Sequence, residues 1–200
     1  HIYLYSPTGV MQRQVTKGNW DVTRFIGMDE ATKTIYYQSA EESPLRRSVY
    51  KIDAKGKKTK LSTQEGSNSA IFSKNMKYFV NTYSNANIPP VITLNDNKGK
   101  VLTTLVDNQK LKQQMSGLNM PSKEFFTFKT TDGVELNGWI MKPAHFDTNK
   151  KYPVILHQYS GPGSQQVLDR WGIGAMGNGG LFEAYMADKG FIMVCVDGRG

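Results

Sequence analysis

The sequence has little of what a disulfide-stabilised, metal-binding or membrane-spanning protein requires. It contains one cysteine, Cys195, so no disulfide can form within the chain, and its three histidines, His1, His145 and His157, form no recognisable ligand cluster. No window approaches the roughly eighteen uninterrupted apolar residues of a membrane-spanning helix. Residues 1–5 have neither the charged head nor the apolar run of a signal peptide. We expect no metal, no cofactor and no membrane span in this segment.

The composition is that of a globular protein with excess positive charge. With 38% hydrophobic and 11% aromatic residues, the 200-residue chain can bury a sizeable core, as one large domain or two small ones. The net charge of +8 raises the alternative of nucleic-acid binding, because clustered Lys and Arg bind phosphates. The lysines are poorly clustered, however: Lys55, Lys57, Lys58 and Lys60 surround Gly56 in a predicted hairpin turn. We therefore favour a solvated surface and expect no nucleic-acid partner.

The first half of the chain is predicted to consist of short strands. Runs of β-branched and aromatic residues between Gly, Asn, Asp, Ser and Lys are typical of strands and turns. The predicted strands are residues 3–5, 23–28, 34–38, 48–52, 70–72, 78–83 and 91–94. With Leu61 and Val101-Leu102 as fourth strands, those from residue 23 onward form two copies of a four-stranded unit spaced by roughly 43 residues, which is the range for β-propeller blades. Two copies cannot close a ring and the chain lacks an initiator methionine, so we expect it to be a piece of a longer protein.

The pattern changes in the second half. Residues 107–115 have the composition of a connecting helix. Residues 124–141 predict a hairpin around the turn Asp132-Gly133. Beyond it, apolar strands at 154–159 and 191–196 flank a predicted helix at 181–188. Such a strand–helix–strand unit makes a right-handed parallel crossover in a sheet covered on both faces.

A candidate ligand site lies where the first of these apolar strands ends. The stretch Tyr152-Pro-Val-Ile-Leu-His-Gln-Tyr-Ser-Gly-Pro-Gly163 ends in Tyr159 and a Gly-Pro-Gly turn, and α/β proteins bind ligands at the carboxyl ends of such strands. A phenol there can donate a hydrogen bond to a developing oxyanion. The alternative is a half-buried tyrosine whose hydroxyl meets water or backbone. The residues alone favour this alternative.

Two competing motifs are less well supported. Gly172-Ile-Gly-Ala-Met-Gly177 matches the G-x-G-x-x-G dinucleotide pattern, with Asp197 about twenty residues further on. That site needs its first glycine directly after a strand, whereas about a dozen residues intervene here, so we interpret it as an irregular glycine-rich loop. No G-x-S-x-G elbow occurs in the sequence, and Ser160 and Ser164 lack the flanking glycines of a nucleophile.

Several segments together resemble one family. The longest are residues 152–166, the terminal Val196-Asp-Gly-Arg-Gly200 and the earlier Lys142-Pro-Ala-His-Phe-Asp147; shorter ones lie at 16–22, 35–37, 45–52, 72–74 and 120–122. They resemble the dipeptidyl peptidase IV branch of the prolyl oligopeptidase family of serine peptidases. The resemblance covers nearly the whole chain.

The resemblance implies a fold and an activity. Such enzymes combine an eight-bladed β-propeller with an α/β-hydrolase domain, and they remove dipeptides with proline or alanine in second position from peptide amino termini. By this match, residues 1–108 are the last propeller blades, 109–122 a connector, and 123–200 the first part of the hydrolase. It further implies a peptide substrate, a homodimer of the intact protein, and export to the periplasm or cell surface.

The resemblance also assigns a catalytic role. Tyr159 falls on the family's oxyanion-hole tyrosine, although His157 and Gln158 replace the more usual residues before it and Gly163 stands where some members have cysteine. The family's nucleophile, in Gly-Trp-Ser-Tyr-Gly-Gly, and its acid and histidine come after the Asp-Gly-Arg-Gly segment, while its substrate-binding glutamate pair lies in earlier blades. These 200 residues alone therefore lack the triad. The alternative function is a non-catalytic propeller module, scaffold or pseudo-peptidase.

Overall fold

The chain is divided into two compact units. The computed structural model describes residues 1–118, 120–159, 161, 163–172, 174 and 180–199. Unit 1 comprises His1–Tyr83 and Pro90–Asp107, and unit 2 comprises Ser84–Pro89 and Asn108–Gly200.

Unit 1 is built from strands arranged in three small sheets. The strands are β1 Tyr3–Tyr5, β2 Met11–Gln14, β3 Val22–Asp29, β4 Thr34–Ser39, β5 Ser48–Ile52, β6 Lys58–Lys60, β7 Ser67–Phe72, β8 Tyr78–Asn85, β9 Ile88–Asp96 and β10 Val101–Val106. Strands β1 and β2 pair as a two-stranded sheet. The others form two four-stranded sheets, ordered β3-β4-β5-β6 and β7-β8-β9-β10, with each strand beside its neighbour in sequence. The prediction of two successive four-stranded units is confirmed.

The last turn of each four-stranded sheet has the same construction. In the first, Asp53 Oδ1 accepts the backbone N–H groups of Lys55 and Lys57, both at 2.9 Å, before β6 begins. In the second, Asp96 Oδ1 accepts those of Lys98 and Lys100 at the same distances, before β10. The repeat seen in the sequence is therefore a repeat of turn chemistry as well as of strands.

The core of unit 1 lies on both faces of β4. Tyr36 packs with Val49, Leu61, Ala70 and Phe79, so this cluster joins residues of the two four-stranded sheets. Ile35 and Tyr37, which flank Tyr36 in the sequence, belong to a second cluster with Tyr50 and Ile52. Because successive side chains of a strand point to opposite faces, a strand with both faces buried has an uninterrupted apolar sequence.

In its described residues, unit 2 contains two helices and one four-stranded sheet. Its elements are α1 Gln109–Ser116, β11 Lys123–Lys129, β12 Glu135–Met141, β13 Val154–Gln158, α2 Leu181–Asp188 and β14 Ile192–Val196. The strand order is β11-β12-β14-β13. Strand β14 pairs with β13 in parallel and with β12 antiparallel. The predicted parallel strand–helix–strand unit is confirmed, and the predicted bounds of α2 are those observed.

One face of this sheet is buried. Helix α2 packs against β12 and β14, and the buried side chains of the paired residues Trp139 and Cys195 occupy one face of these strands. On β13, by contrast, Val154 and Leu156 are 58% and 62% exposed. Within the described residues, no element packs over those two side chains, so this face of β13 is uncovered there. No helix in the described part of the chain is both long and apolar enough to cross a membrane.

Candidate functional site

Tyr159 lies at the edge of the sheet where two parallel strands end. Strand β13 ends at Gln158, which pairs with Val196, the last residue of β14. Tyr159 and Asp197 are therefore the first residues beyond two neighbouring parallel strands. The carboxyl ends of parallel strands border the crevice in which α/β sheets bind ligands.

The side chain of Tyr159 is accessible and lies against a glycine. It is 58% exposed. A Cβ built on Gly161 would be 3.0 Å from the Tyr159 hydroxyl oxygen and 3.1 Å from its Cζ, so the phenol ring occupies the space that a side chain at 161 would need. The hydroxyl can reach a ligand from solvent because the ring is not enclosed by core residues.

The turn after Tyr159 is formed as the sequence predicts, in the part that the structure describes. The Ser164 N–H donates to the Gly161 carbonyl at 3.0 Å. Gly163 has a φ of 72°, a left-handed conformation that glycine adopts without strain. Ser160 and Pro162 lie outside the described residues. The hydroxyl of Ser164 is hydrogen-bonded at 3.3 Å to the side-chain amide of Gln166.

A polar cavity of about 480 Å³ lies beside this turn. It is lined by residues of β12, of the turn and of the segment that follows β14, among them Asn137, Gly163, Ser164, Asp197 and Arg199. Arg199 forms an ion pair with Asp132, at the turn between β11 and β12. The hydroxyl of Thr130 and then the Arg199 guanidinium stabilise the Asp132 carboxylate and lower its pKa.

The carboxylate of Asp197 binds backbone beside the turn after Tyr159, a contact that the sequence did not predict. Its Oδ1 accepts the Gln166 N–H at 2.7 Å and its Oδ2 accepts the Val167 N–H at 3.0 Å. Both oxygens of Asp197 are thus engaged by backbone N–H groups of the segment that follows the turn. The signal that could have identified this role is a carboxylate placed directly after a buried strand.

The glycine-rich motif is only partly described. Residues 173 and 175–179 lie outside the described part of the structure. Gly172 has a φ of 74°. A Cβ at Gly174 would be 2.6 Å from Oε2 of Glu183, the fully buried glutamate of α2. This glycine therefore makes room for a carboxylate of the protein itself.

A second, more apolar cavity of about 380 Å³ lies elsewhere in unit 2. It is lined by side chains that include Met115, Met120, Met141, Trp171, Ala184 and Lys123. Lys123 is only 6% exposed, and its Nζ lies 4.2 Å from the centroid of the Trp139 ring. Burial lowers the pKa of Lys123, and the buried Glu183 carboxylate acts in the opposite direction.

The other candidate ligands and nucleophiles are separated in the structure. Among the described residues, no three His, Cys, Asp or Glu side chains come close enough to hold a metal ion. His1 Nε2 is hydrogen-bonded to the Gly18 carbonyl at 2.9 Å. Cys195 is fully buried, and burial raises the pKa of its thiol to about 12, so it is not a nucleophile at neutral pH.

The lysines of the basic cluster occupy a turn and a strand. Lys55 and Lys57 lie in the turn formed by Asp53, and Lys58 and Lys60 lie on β6. Lys58 forms an ion pair with Glu41 and Lys60 one with Glu42, the latter at 2.7 Å. Part of the positive charge here is therefore neutralised within the protein.

Comparison with known proteins gives one consistent family. Residues 1–90 match the family model of the dipeptidyl peptidase IV (DPP IV) N-terminal region. The chain is 34% identical over 208 residues to a probable dipeptidyl-aminopeptidase B of Podospora anserina, in a match that covers 100% of this chain and 22% of that protein. It is 31% identical over 206 residues to a probable dipeptidyl peptidase 4 of Aspergillus flavus, covering 100% of this chain and 26% of that protein.

Solved structures agree with the sequence comparisons. The crystal structure of Porphyromonas gingivalis dipeptidyl peptidase 4 matches with a TM-score of 0.91 and 52% identity, over 100% of this chain and 27% of that one. A putative dipeptidyl aminopeptidase IV from Bacteroides ovatus matches with a TM-score of 0.77 and 34% identity, over 94% of this chain and 26% of that one. The chain spans about a quarter of the length of these relatives.

The family model covers residues 1–90, just under half of the chain, and the relatives and solved structures cover 94–100% of it. Over nearly its whole length, the chain is therefore similar to dipeptidyl peptidases of the DPP IV type.

Proposed function

We propose that this chain is a segment of a serine-type dipeptidyl aminopeptidase and that it supplies Tyr159 to the active site. In this proposal, residues 1–108 are the last blades of the propeller and 109–122 a connector. Residues 123–200 begin the α/β-hydrolase domain. The parallel pairing of β13 with β14, joined through α2, supports the hydrolase assignment because that fold is built on such units.

The proposed reaction removes Xaa-Pro or Xaa-Ala dipeptides from peptide amino termini by acyl transfer. A serine outside these 200 residues attacks the scissile carbonyl carbon. The carbonyl oxygen of the substrate then acquires negative charge in the tetrahedral intermediate. The Tyr159 hydroxyl donates a hydrogen bond to that oxyanion, beside a backbone N–H next to the nucleophile. The observation that carries this proposal is the position of Tyr159, exposed and directly after β13 at the edge where β14 also ends.

The test is Tyr159→Phe in the full-length polypeptide. Loss of the hydroxyl removes one oxyanion donor, so kcat for a chromogenic Gly-Pro amide should fall by about 10² or more. KM should change little, because the donor acts on the transition state and not on the bound substrate. Tyr185→Phe, which changes a similarly exposed tyrosine on α2, is the matched control and should retain wild-type kcat. A folded Tyr159→Phe variant with near-normal kcat would overturn the role of Tyr159.

Three further properties come with the family resemblance and remain predictions: a peptide substrate, a homodimer of the intact protein and export to the periplasm or cell surface. Light scattering of the full-length protein and cell fractionation would test the last two. A wild-type protein without aminopeptidase activity would favour the alternative of a non-catalytic module.

A further inference from the structure

The carboxylate of Asp197 joins the end of β14 to the segment that follows Tyr159. Its two oxygens accept two successive backbone N–H groups, those of Gln166 at 2.7 Å and Val167 at 3.0 Å. Its own N–H donates to the carbonyl of Asn137 at 3.1 Å, just beyond the last pair of β12 with β14. Because the acceptor is a carboxylate, both bonds are charge-assisted and therefore stronger than bonds between neutral groups.

The two residues held by Asp197 have further contacts of their own. Val167 is fully buried. The indole N–H of Trp139, on β12, points to the carbonyl of Gln166 at 3.4 Å. Residues 166 and 167 are therefore a fixed point from which the chain leads back to the turn at Gly161 and Gly163.

The segment that carries Tyr159 is thus anchored at both ends to the same strand. At one end, Gln158 pairs with Val196 of β14. At the other, the amides of Gln166 and Val167 bind Asp197, the next residue after Val196. The adjacent residues Val196 and Asp197 therefore fix the two ends of the segment that contains Tyr159 and the turn.

We propose that Asp197 is a positioning residue that holds the Tyr159 hydroxyl in place for the oxyanion. This inference rests on the proposed function. An oxyanion donor is effective only if it is preorganised, and a displacement of about 1 Å at a reacting group can cost about 10² in rate. The contacts of Asp197 are with the backbone of residues 166 and 167, so its effect on the reaction passes through the position of the turn.

The informative variant is Asp197→Asn in the full-length protein. The amide keeps one acceptor oxygen but places an NH₂ group opposite one of the two backbone N–H groups, so one hydrogen bond is lost at nearly constant size. Asp188→Asn, which changes an exposed aspartate of α2, is the control. Circular dichroism establishes that each variant is folded. If Asp197→Asn does not fold, Asp197→Glu, which keeps both oxygens on a longer side chain, takes its place.

Kinetics separate positioning from general destabilisation. We expect kcat for the Gly-Pro amide to fall by about 10–10² in D197N with KM little changed. In the Tyr159→Phe background, D197N should cause no further loss, because the hydroxyl that it positions is already absent. An equal fold-loss in both backgrounds would overturn the inference.

Hydrogen exchange tests the contact without any activity. In D197N, peptides covering residues 163–168 should exchange faster than in the wild type, whereas peptides covering 181–188 should not change. Unchanged exchange at 163–168 would overturn the inference. If the wild-type protein does not hydrolyse the Gly-Pro amide, the proposed function fails, while the exchange measurement still decides whether Asp197 holds this segment.

Discussion

The phenol ring of Tyr159 and the backbone of Gly161 occupy adjoining space, with 3.0 Å between the hydroxyl oxygen and the position of a Cβ at 161. This separation is shorter than an ordinary van der Waals contact. Any side chain at 161 must therefore displace the ring by a few tenths of an ångström.

Gly161→Ala should reduce catalysis without preventing folding. The methyl group pushes the Tyr159 ring from its position, and we expect kcat for a Gly-Pro amide to fall roughly 3–10-fold in the full-length protein. Gly117→Ala is the control, because a Cβ there would meet only the Gln114 carbonyl oxygen, at 3.7 Å. Equal kcat values for the two variants would show that the ring position seen here does not matter for the reaction.

Lys123→Met should destabilise the protein strongly. The substitution removes a buried ammonium that lies 4.2 Å from the Trp139 ring centroid and interacts electrostatically with the fully buried Glu183 carboxylate, and leaving a buried polar group uncompensated costs about 1–3 kcal/mol. Urea unfolding measures the loss, and Glu183→Gln in the same chain should recover part of it. Lys142→Met is the matched control, since the Lys142–Glu124 pair lies on the same hairpin but is exposed, and such pairs contribute about 0–1 kcal/mol. Equal losses in the two single variants would contradict the prediction.

Stability should fall at alkaline pH, partly through Cys195. The thiol has a pKa of about 12 in the folded chain because of burial, against 9.0 for an unperturbed thiol. Between these values the unfolded chain releases a proton that the folded chain keeps, so stability decreases as pH rises above 9, by up to about 1.4 kcal/mol per pH unit from this group. Cys195→Ala removes this contribution. Urea midpoints from pH 8 to 10.5 should therefore decline less steeply in the variant, and parallel declines would exclude a role for Cys195.

Gly99→Ala should cost more than Gly56→Ala. Both glycines close the last turn of a four-stranded sheet with positive φ values, 90° and 86°, so alanine adds backbone strain of about 1–2 kcal/mol at either position. At Gly99 the new Cβ would also lie 2.7 Å from the Leu61 carbonyl oxygen, whereas nothing lies within 4 Å at Gly56. We expect an additional loss of about 1–3 kcal/mol for Gly99→Ala, because backbone must move. Thermal or urea unfolding of the two variants measures this difference in stability, and equal losses would contradict the prediction.

Local patterns in the sequence were sufficient where each strand or helix has its own apolar signal. The bounds of β5 and α2 are those predicted, and the parallel pairing of β13 and β14 follows from their apolar composition. Strand β2, Met-Gln-Arg-Gln, was not predicted, and the fourth strand of the first unit was placed at Leu61 and not at β6, Lys-Thr-Lys, because these residues are mostly polar. Both segments are strands because a neighbouring strand supplies the hydrogen-bonding partner, which a local pattern does not contain.

The residues of the candidate site also divide into those that a local pattern predicts and those that it does not. The position of Tyr159 followed from the end of an apolar run. The contacts of Asp197 did not, because they join residues 30 and 31 positions apart. The spacing from the glycine-rich motif to Asp197 matches a dinucleotide pattern that the missing strand before the first glycine argues against, and no local pattern indicates that Asp197 binds backbone. Only the hydrogen-bond partners distinguish a carboxylate that holds backbone from one that is free to hold a ligand.

The strand order of unit 2 has a consequence for how the sheet can be assembled during synthesis. Strands β12 and β13 follow one another in the sequence, yet they do not pair; β14 lies between them and pairs with both. The hairpin of β11 and β12 can form as soon as it leaves the ribosome, but β13 has no partner until residues 192–196 have been made. At about 5–20 residues per second, β13 waits for seconds with its backbone unpaired. Nascent chains that end before residue 192 should therefore bind chaperones through β13, and those that extend well beyond residue 196 should not.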